Sequence, residues 1–465
     1  MSWIERAPLE ERLLAAVRAR GPALATLVGP RRSGVTELLR RVLRGLEWRR
    51  VAFTATLAAP GVRLERAAIA FERAGIPRPE GAAAWSDWAG ALLDDLLTGR
   101  SPVVVAIDDA PLLLDSDEDA AAALAALWAG ARAHALPLHL VLAGHDADAL
   151  DRWADQVLGV PAPQRIRVPP VRVDELAAHL PDWPPEERFL IRACLGSSVE
   201  TLGRVDPSLR ATTNLLRLAI DPDGPLHDLP AQRLREQFQK PERYAGIVSA
   251  LAEGAHDWGG IRRANPAFRS GNQLAPYLSA LQEHGWVTPE RSLDAAPESR
   301  GRRYRLSDPF VAFWHAVAEP ARDRLLAGES PTRVAREMPL DDHLERVFPI
   351  LCRLALLEGV VDDRLTRRIP VRAREIGGLW GADYHLPISG TLRNGAVVYG
   401  VGVWGRTAEE ADAETALEAL RATRYGYGRE SRLVLVVTSR GATEGLVRRV
   451  ARDHRLLLVP LQSLF

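Results

Sequence analysis

The sequence predicts an α/β chain whose first third is a parallel sheet wrapped around a phosphate-binding loop. Three observations carry that expectation. Short apolar runs without internal alternation recur between Ala/Leu-rich amphipathic stretches, as strands buried on both faces do. One run, ALATLVG at 23–29, opens into Gly29-Pro30-Arg31-Arg32-Ser33-Gly34-Val35-Thr36. That segment fits the pattern G-x-x-x-x-G-K-[ST] everywhere except the lysine position, which holds Val35. Another run, VVVAI, ends in the acidic pair Asp108-Asp109.

In chain order, strands are expected at 23–29, 51–57, 102–107, 138–143 and 165–169, with helices between them. The glycines of the loop let successive N–H groups turn inward toward phosphate oxygens, and the following helix adds its positive N-terminal end. Thr36 is placed to ligate Mg²⁺, and Asp108 to hold the ion's water shell. Asp109 is placed to orient an attacking water, one methylene shorter than a glutamate would be. ATP or ADP with Mg²⁺ is the ligand this arrangement implies. With Val35, the cation that neutralises the β/γ-phosphates is missing. Arg31 and Arg32 flank the loop on its outer turn, and Lys240, the only lysine in the chain, lies far beyond it. His145, after the strand LHLVLAG, reads as a surface histidine at an ordinary strand end.

Residues 172–240 read as helices with proline breaks, a helical lid on the sheet. The next stretch changes character. PERYAGIVSALAEG, DWGGIRRAN and SGNQLAPYLSALQEHGWV read as three helices, the third opened by Ser270 as N-cap and stopped at Gly285. Pro276 sits within that third helix. A turn-rich and then extended segment through RGRRYRL follows. Three helices and a wing make a winged-helix module. Its candidate DNA-facing groups are Arg262, Arg263, Arg269, Asn272, Gln273 and Tyr277, with Arg300, Arg302, Arg303 and Arg305 along the wing. The alternative is a protein-interaction module with a solvated basic wing. Beyond 321 come a helix (LDDHLERVFPILCRLALLEG), extended pieces at 383–389, 396–404 and 432–438, a helix at 408–424, and a final strand.

Composition bounds the partners. Sixty basic and sixty acidic residues balance, so net charge points to neither a polyanion nor a polycation. Cys194 and Cys352 lie in apolar contexts and read as buried thiols in a reducing compartment. No run of 18 apolar residues occurs and the N-terminus lacks an apolar signal core, so a cytoplasmic protein without a membrane segment is expected.

Four segments together resemble the archaeal-type P-loop ATPases of the AAA+/STAND-related group. They are GPRRSGVTELL at 29–39, IDDAPLLL at 107–114, LVLAGH at 140–145 and RYRLSDPFVAFWHAV at 303–317. The resemblance implies a P-loop domain over 1–170, a helical lid over 171–240, a winged helix over 241–320 and a PD-(D/E)XK nuclease-like domain over 321–465. This chain departs from the family pattern consistently. The Walker A lysine is Val35, and the Walker B pair is Asp108-Asp109 where the family has D-E. The three acidic nuclease motifs and their lysine correspond to Phe348-Pro349, His385-Leu386-Pro387 and Val401-Gly402-Val403-Trp404, none of which binds Mg²⁺ through carboxylates. Glu375, Asp383 and Glu414 are the acids that could regroup there. The expected function is therefore a degenerate ATPase homologue that binds nucleotide weakly or not at all, has an inactive nuclease-like domain, and acts through DNA or protein contacts, as a homo-oligomer or with a partner. A slow ATPase using Arg31 or Arg32, and a ligand-free scaffold, are the rivals.

Overall fold

The computed structural model describes residues 3–99, 101–159, 164–268, 270–296, 301–359, 369, 372–429 and 431–465. They form two compact units. One comprises Glu5–Val171 with Ser198–Glu200, and the other Arg172–Ser197 and Thr201–Phe465 with the first residues of the chain.

The first unit is built on five parallel strands: β1 (Ala23–Val28), β2 (Arg49–Thr54), β3 (Val103–Asp108), β4 (Leu138–Gly144) and β5 (Gln164–Arg167). Their spatial order is β2-β3-β4-β1-β5. All five strands run parallel, and the helices of this unit are α1 (Ala7–Val17), α2 (Val35–Arg44), α3 (Pro60–Arg73), α4 (Trp85–Gly99), α5 (Ala110–Leu114), α6 (Glu118–Ala133) and α7 (Ala147–Arg152). Every residue of β3 and β4 is buried, which is why their sequences run apolar without alternation. All five strands lie within two residues of their expected starts. The ends agree less well for β2, which stops three residues early: the chain turns out after Thr54 toward Pro60, and Leu57 is left 92% exposed. Inserting β4 between β1 and β3 brings three strand ends side by side, where ligands bind in open α/β sheets.

The second unit centres on the RYRLSDPFVAFW segment. Phe310, Phe313, Trp314 and Val317 are all buried. Asp308 caps the Pro309–Phe313 helix by accepting from the Phe310 N–H at 3.0 Å, and its carboxylate faces the buried Arg233 guanidinium at 3.6 Å. Arg233 in turn lies over the Phe310 ring, and the Trp314 indole donates to the His227 carbonyl. A glycine is required at 196, because a Cβ there would run into the Asp308 carboxylate. The segment that stood out in the sequence is thus a packing hub.

Three helices, Pro241–Ala252, Trp258–Ala264 and Gly271–Glu283, precede an antiparallel pair, β6 (Val287–Glu290) and β7 (Arg303–Leu306). Ser270 stands at the N-cap as expected but makes no side-chain cap bond. Pro276 lies in the helix interior, beyond the first turn. The last sheet has the order β12-β11-β10-β9-β8, from β8 (Ala373–Trp380), β9 (His385–Leu392), β10 (Val397–Val403), β11 (Arg432–Thr438) and β12 (Leu456–Pro460). β10, β11 and β12 run parallel, while β9 is antiparallel to both its neighbours. The Leu340–Glu358 helix packs on β8, β9 and β10, and the Glu410–Ala422 helix on β10 and β11. Strand β8 and the Glu444–Arg452 helix were not expected from sequence. The strand carries two adjacent glycines and charged residues, so its β pattern is weak until β9 pairs with it. Cys194 and Cys352 are free and fully buried, as expected, and burial raises both thiols' pKa.

The capping role of Asp308 gives a stability prediction. Asp308→Ala should cost about 1–2 kcal/mol in chemical denaturation followed by tryptophan fluorescence, and Asp308→Asn, which keeps a capping oxygen, clearly less. Equal losses for the two variants would locate the effect in the Arg233 pair instead.

Candidate functional site

The carboxyl ends of β1, β3 and β4 bring the sequence-predicted phosphate-site residues together. Gly29 leaves β1 with its N–H donating to the Gly144 carbonyl at 3.3 Å. A Cβ at Gly29 would strike the Val168 carbonyl and the Ser33 hydroxyl, so only glycine lets the chain pass. The loop closes through the Ser33 N–H, which bonds the Pro30 carbonyl at 3.1 Å, and Gly34 takes φ +94° before α2 begins. The Ser33 hydroxyl is buried with no hydrogen-bond partner. A narrow glycine-lined turn, an orphaned buried hydroxyl and a helix N-terminus form a cradle that fits a phosphate group.

The cation side does not fit equally well. Val35, the first residue of α2, is 1% exposed and belongs to the apolar interior. Arg32, at φ +69°, is committed elsewhere: its Nε lies 3.0 Å from the Glu200 carboxylate. The Val199 N–H bonds the Arg32 carbonyl at 3.0 Å, and the Val199 side chain stands 3.0 Å from where a Cβ on Gly34 would be. Of the two arginines expected to flank phosphates, Arg32 is therefore held by Glu200, while Arg31 and Pro30 are exposed.

The metal side is assembled. The Thr36 hydroxyl lies close enough to Asp108, which is 6% exposed at the end of β3, to favour its charged form. A hydroxyl and a carboxylate in contact are a suitable donor pair for Mg²⁺. Burial, with a smaller push from the neighbouring Asp109, raises the Asp108 pKa above its ordinary value; the Thr36 hydroxyl, the Asp109 backbone and His145 act the other way. Asp109 stands at the N-cap position of α5 in a left-handed conformation at φ +52°, makes no side-chain cap bond, and has a half-open carboxylate.

Two residues depart from the sequence reading. His145 is not a plain surface histidine: its Nδ1 lies 2.9 Å from the Gly29 carbonyl and its Nε2 3.8 Å from the Asp109 carboxylate, so it links the loop to the acidic pair. Arg6 belongs to no motif. It is fully buried, and its guanidinium donates to the Ser33 carbonyl at 2.9 Å from beneath the loop. Only its position immediately before an amphipathic helix could have drawn attention to it.

The second unit holds the other candidates. Arg262, Arg263, Asn272, Gln273 and Arg302 are exposed, whereas Arg269 and Arg300 lie outside the described residues. Arg303, the first residue of β7, does not project freely: its guanidinium lies 4.5 Å from the centre of the Trp380 ring. Arg305 is held by Glu290 at 2.5 Å, and Tyr277 accepts from Arg243 at 3.0 Å while packing against Tyr244 and Phe268. At the nuclease-like positions, a Cβ on Gly402 would meet Phe348 and Pro349, and Phe348 packs on Trp404. Glu414 is bound by Arg449 and Arg421, and Glu375 meets the Tyr425 hydroxyl. No group of three or more His, Cys, Asp or Glu side chains suited to a metal occurs among the described residues. No helix among them is long and apolar enough to cross a membrane.

No family model matches the chain. An uncharacterized protein of Methanocaldococcus jannaschii is 26% identical over 149 residues, a match covering 32% of each chain. This chain therefore aligns with about a third of that relative's length. Among solved structures, a Walker-type ATPase of Pyrococcus abyssi is similar with 18% identity and a TM-score of 0.45, over 67% of this chain and 96% of that one. The ORC2 protein of Aeropyrum pernix, solved with ADPNP and ADP, has 18% identity and a TM-score of 0.42, over 69% and 93%. The ORC1 protein of Aeropyrum pernix in complex with DNA has 17% identity and a TM-score of 0.34, over 69% and 92%.

The buried Asp108 carboxylate makes a pH prediction. Its folded-state pKa lies above the ordinary 3.8, so the folded state retains this proton to higher pH than the unfolded chain does. The stability contributed by the neutral form is fully present below the unfolded pKa and is lost as pH rises through the folded pKa. Asp108→Asn should therefore melt higher than wild type at neutral pH, and the difference should shrink below about pH 4. A melting-temperature gap independent of pH would refute this account of Asp108.

Proposed function

We propose that this chain is a P-loop ATPase homologue that retains the phosphate cradle and the Mg²⁺ pair but has given up the cation needed for efficient turnover. The observation that carries the reading is the interior burial of Val35 at the lysine position, combined with the diversion of Arg32 to Glu200. In this reading Gly29 to Gly34 wrap the phosphates of ATP or ADP, and Thr36 and Asp108 hold Mg²⁺. Asp109, oriented by His145, faces the attacking water. The bound nucleotide–metal pair would supply only a folded-state ligand, with hydrolysis slow or absent, and the protein acts through its other contacts.

Those contacts we assign to a winged helix over 241–320, following a helical lid over 171–240, with the 321–465 domain a nuclease-like fold without its chemistry. Apolar packing of Phe348, Pro349 and Trp404 around Gly402 supports the last point, since it fills the place where acids would gather. Exposed Arg262, Arg263, Asn272, Gln273 and Arg302 support contact with double-stranded DNA. A slow but genuine ATPase is the second reading, favoured by the Thr36–Asp108 contact. Arg32 is a poor substitute for the missing lysine in that case, because Glu200 already neutralises it.

Thermal melting with and without ATP-Mg²⁺ tests the nucleotide part. Val35→Lys should melt below wild type without ligand, because it places an ammonium in an apolar site, and should gain more on adding ATP-Mg²⁺. At about 100 times Kd the gain corresponds to about 2.7 kcal/mol. If neither protein responds, the phosphate-cradle reading fails.

The DNA part is read from salt dependence. Wild type should bind a short duplex with a falling log–log salt plot, and the Arg262→Ala/Arg263→Ala pair should flatten its slope by about two. Binding absent at low salt, or a slope unchanged in the double variant, would move the function to protein contacts.

A further inference from the structure

A cleft of about 500 Å³ lies within the second unit, among the Pro241–Ala252 helix end, the β6–β7 pair, the Leu340–Glu358 helix and the edge of β8 and β9. Neither the phosphate loop nor the DNA reading uses it. Its size falls within the range of small-molecule sites.

Its charge is distributed unevenly. Glu290 sits between two guanidiniums, Arg305 at 2.5 Å and Arg353 at 3.2 Å, so one carboxylate serves two cations on that wall. Arg353 is 13% exposed, and its Nε is buried without a hydrogen-bond partner. Arg303 and Arg346 also line the cleft, and neither forms an ion pair among the described residues. Arg303 is fixed in place by the Trp380 ring beneath it. The two remaining acids of the lining, Asp342 and Glu345, stand on the exposed face of their helix. Burial holds the His385 pKa below its ordinary value, and Arg303, His256 and Arg353 push it the same way.

Pro349, His385 and Pro387 line this same cleft. These are positions at which the sequence resemblance would put metal-binding acids. A ligand entering here meets guanidinium groups directly, with no carboxylate-bound cation between. Planar guanidinium groups pair with phosphate oxygens through two parallel hydrogen bonds.

We infer that this cleft binds a small phosphate-bearing anion, gripped by Arg303 and Arg346 and backed by Arg353, as free phosphate or as the phosphate of a mononucleotide. The inference is independent of the nucleotide reading of the loop. Trp380 holds Arg303 from below and leaves its N–H groups to the ligand. The apolar Ile350 and Pro387 walls would accept the organic part of a mononucleotide.

Isothermal titration of the full chain with sodium phosphate and with AMP, at matched ionic strength, tests it. Wild type should bind one equivalent through the cleft, in addition to any bound at the loop. Arg346→Ala and Arg303→Ala should each weaken that equivalent by about tenfold or more, and Arg346→Lys, which keeps the charge and loses the fork, should do so by less. Arg346 is exposed, so its variants test the site even if Arg303→Ala proves unstable. AMP binding no tighter than phosphate assigns the site to the free anion, and tighter AMP binding to a mononucleotide. Unchanged affinity and stoichiometry in both alanine variants would mean that any bound phosphate sits at the loop, and would overturn the proposal. Absence of binding up to about 10 mM would overturn it as well.

Discussion

The backbone at Gly29 is held where three strands of the sheet finish. β4 supplies the Gly144 carbonyl for its N–H, the residue just after β5 places the Val168 carbonyl in the space a side chain would need, and the His145 ring reaches the Gly29 carbonyl. Nothing larger than hydrogen fits on its Cα. The loop that follows, the start of α2, and the distance of Thr36 from Asp108 all inherit their positions from this close approach. Because the constraint is made by backbone atoms of the sheet, it survives changes in the side chains of the loop itself.

That separation of geometry from charge lets the glycine turn and the start of α2 keep their shape around an aliphatic residue. The turn needs glycines and a helix start, and this chain keeps both. The cation belongs to one side chain, and Val35 has turned that position into part of the core. Neighbouring positive charge has been absorbed by the structure: Arg32 by Glu200, and Arg6 by the Ser33 carbonyl from below. Arg6 holds the loop's shape from below through the Ser33 carbonyl and is poorly placed to act on a ligand above it.

In the second unit the same lesson takes another form. The RYRLSDPFVAFW segment, conspicuous as a sequence for its resemblance, holds a helix cap, one partner of the Arg233–Asp308 ion pair and three aromatic core residues in a dozen positions. Its work is structural. The groups that make an arginine-lined cleft are inconspicuous by comparison, since Arg303, Arg346 and Arg353 come from a strand and a helix about forty residues apart along a chain rich in arginine.

The sequence by itself determined the parallel sheet, the loop, the acidic pair and the missing lysine. Each is a local pattern: uninterrupted apolar runs for strands buried on both faces, and fixed glycine spacing for the turn. It also determined the three helices before β6 and most of the last sheet, whose apolar runs are equally plain. The tertiary structure alone decided the rest, because those features depend on which strand ends become neighbours. Placing β4 between β1 and β3 brings His145 to Gly29 and Asp109, and no spacing in the chain encodes that contact. Arg6 under the loop, Glu200 on Arg32, and Arg303 stacked on Trp380 rather than reaching out from a wing are likewise pairings across long stretches of chain. An arginine's partner is chosen by the packing around it, and its sequence neighbours carry no trace of that choice.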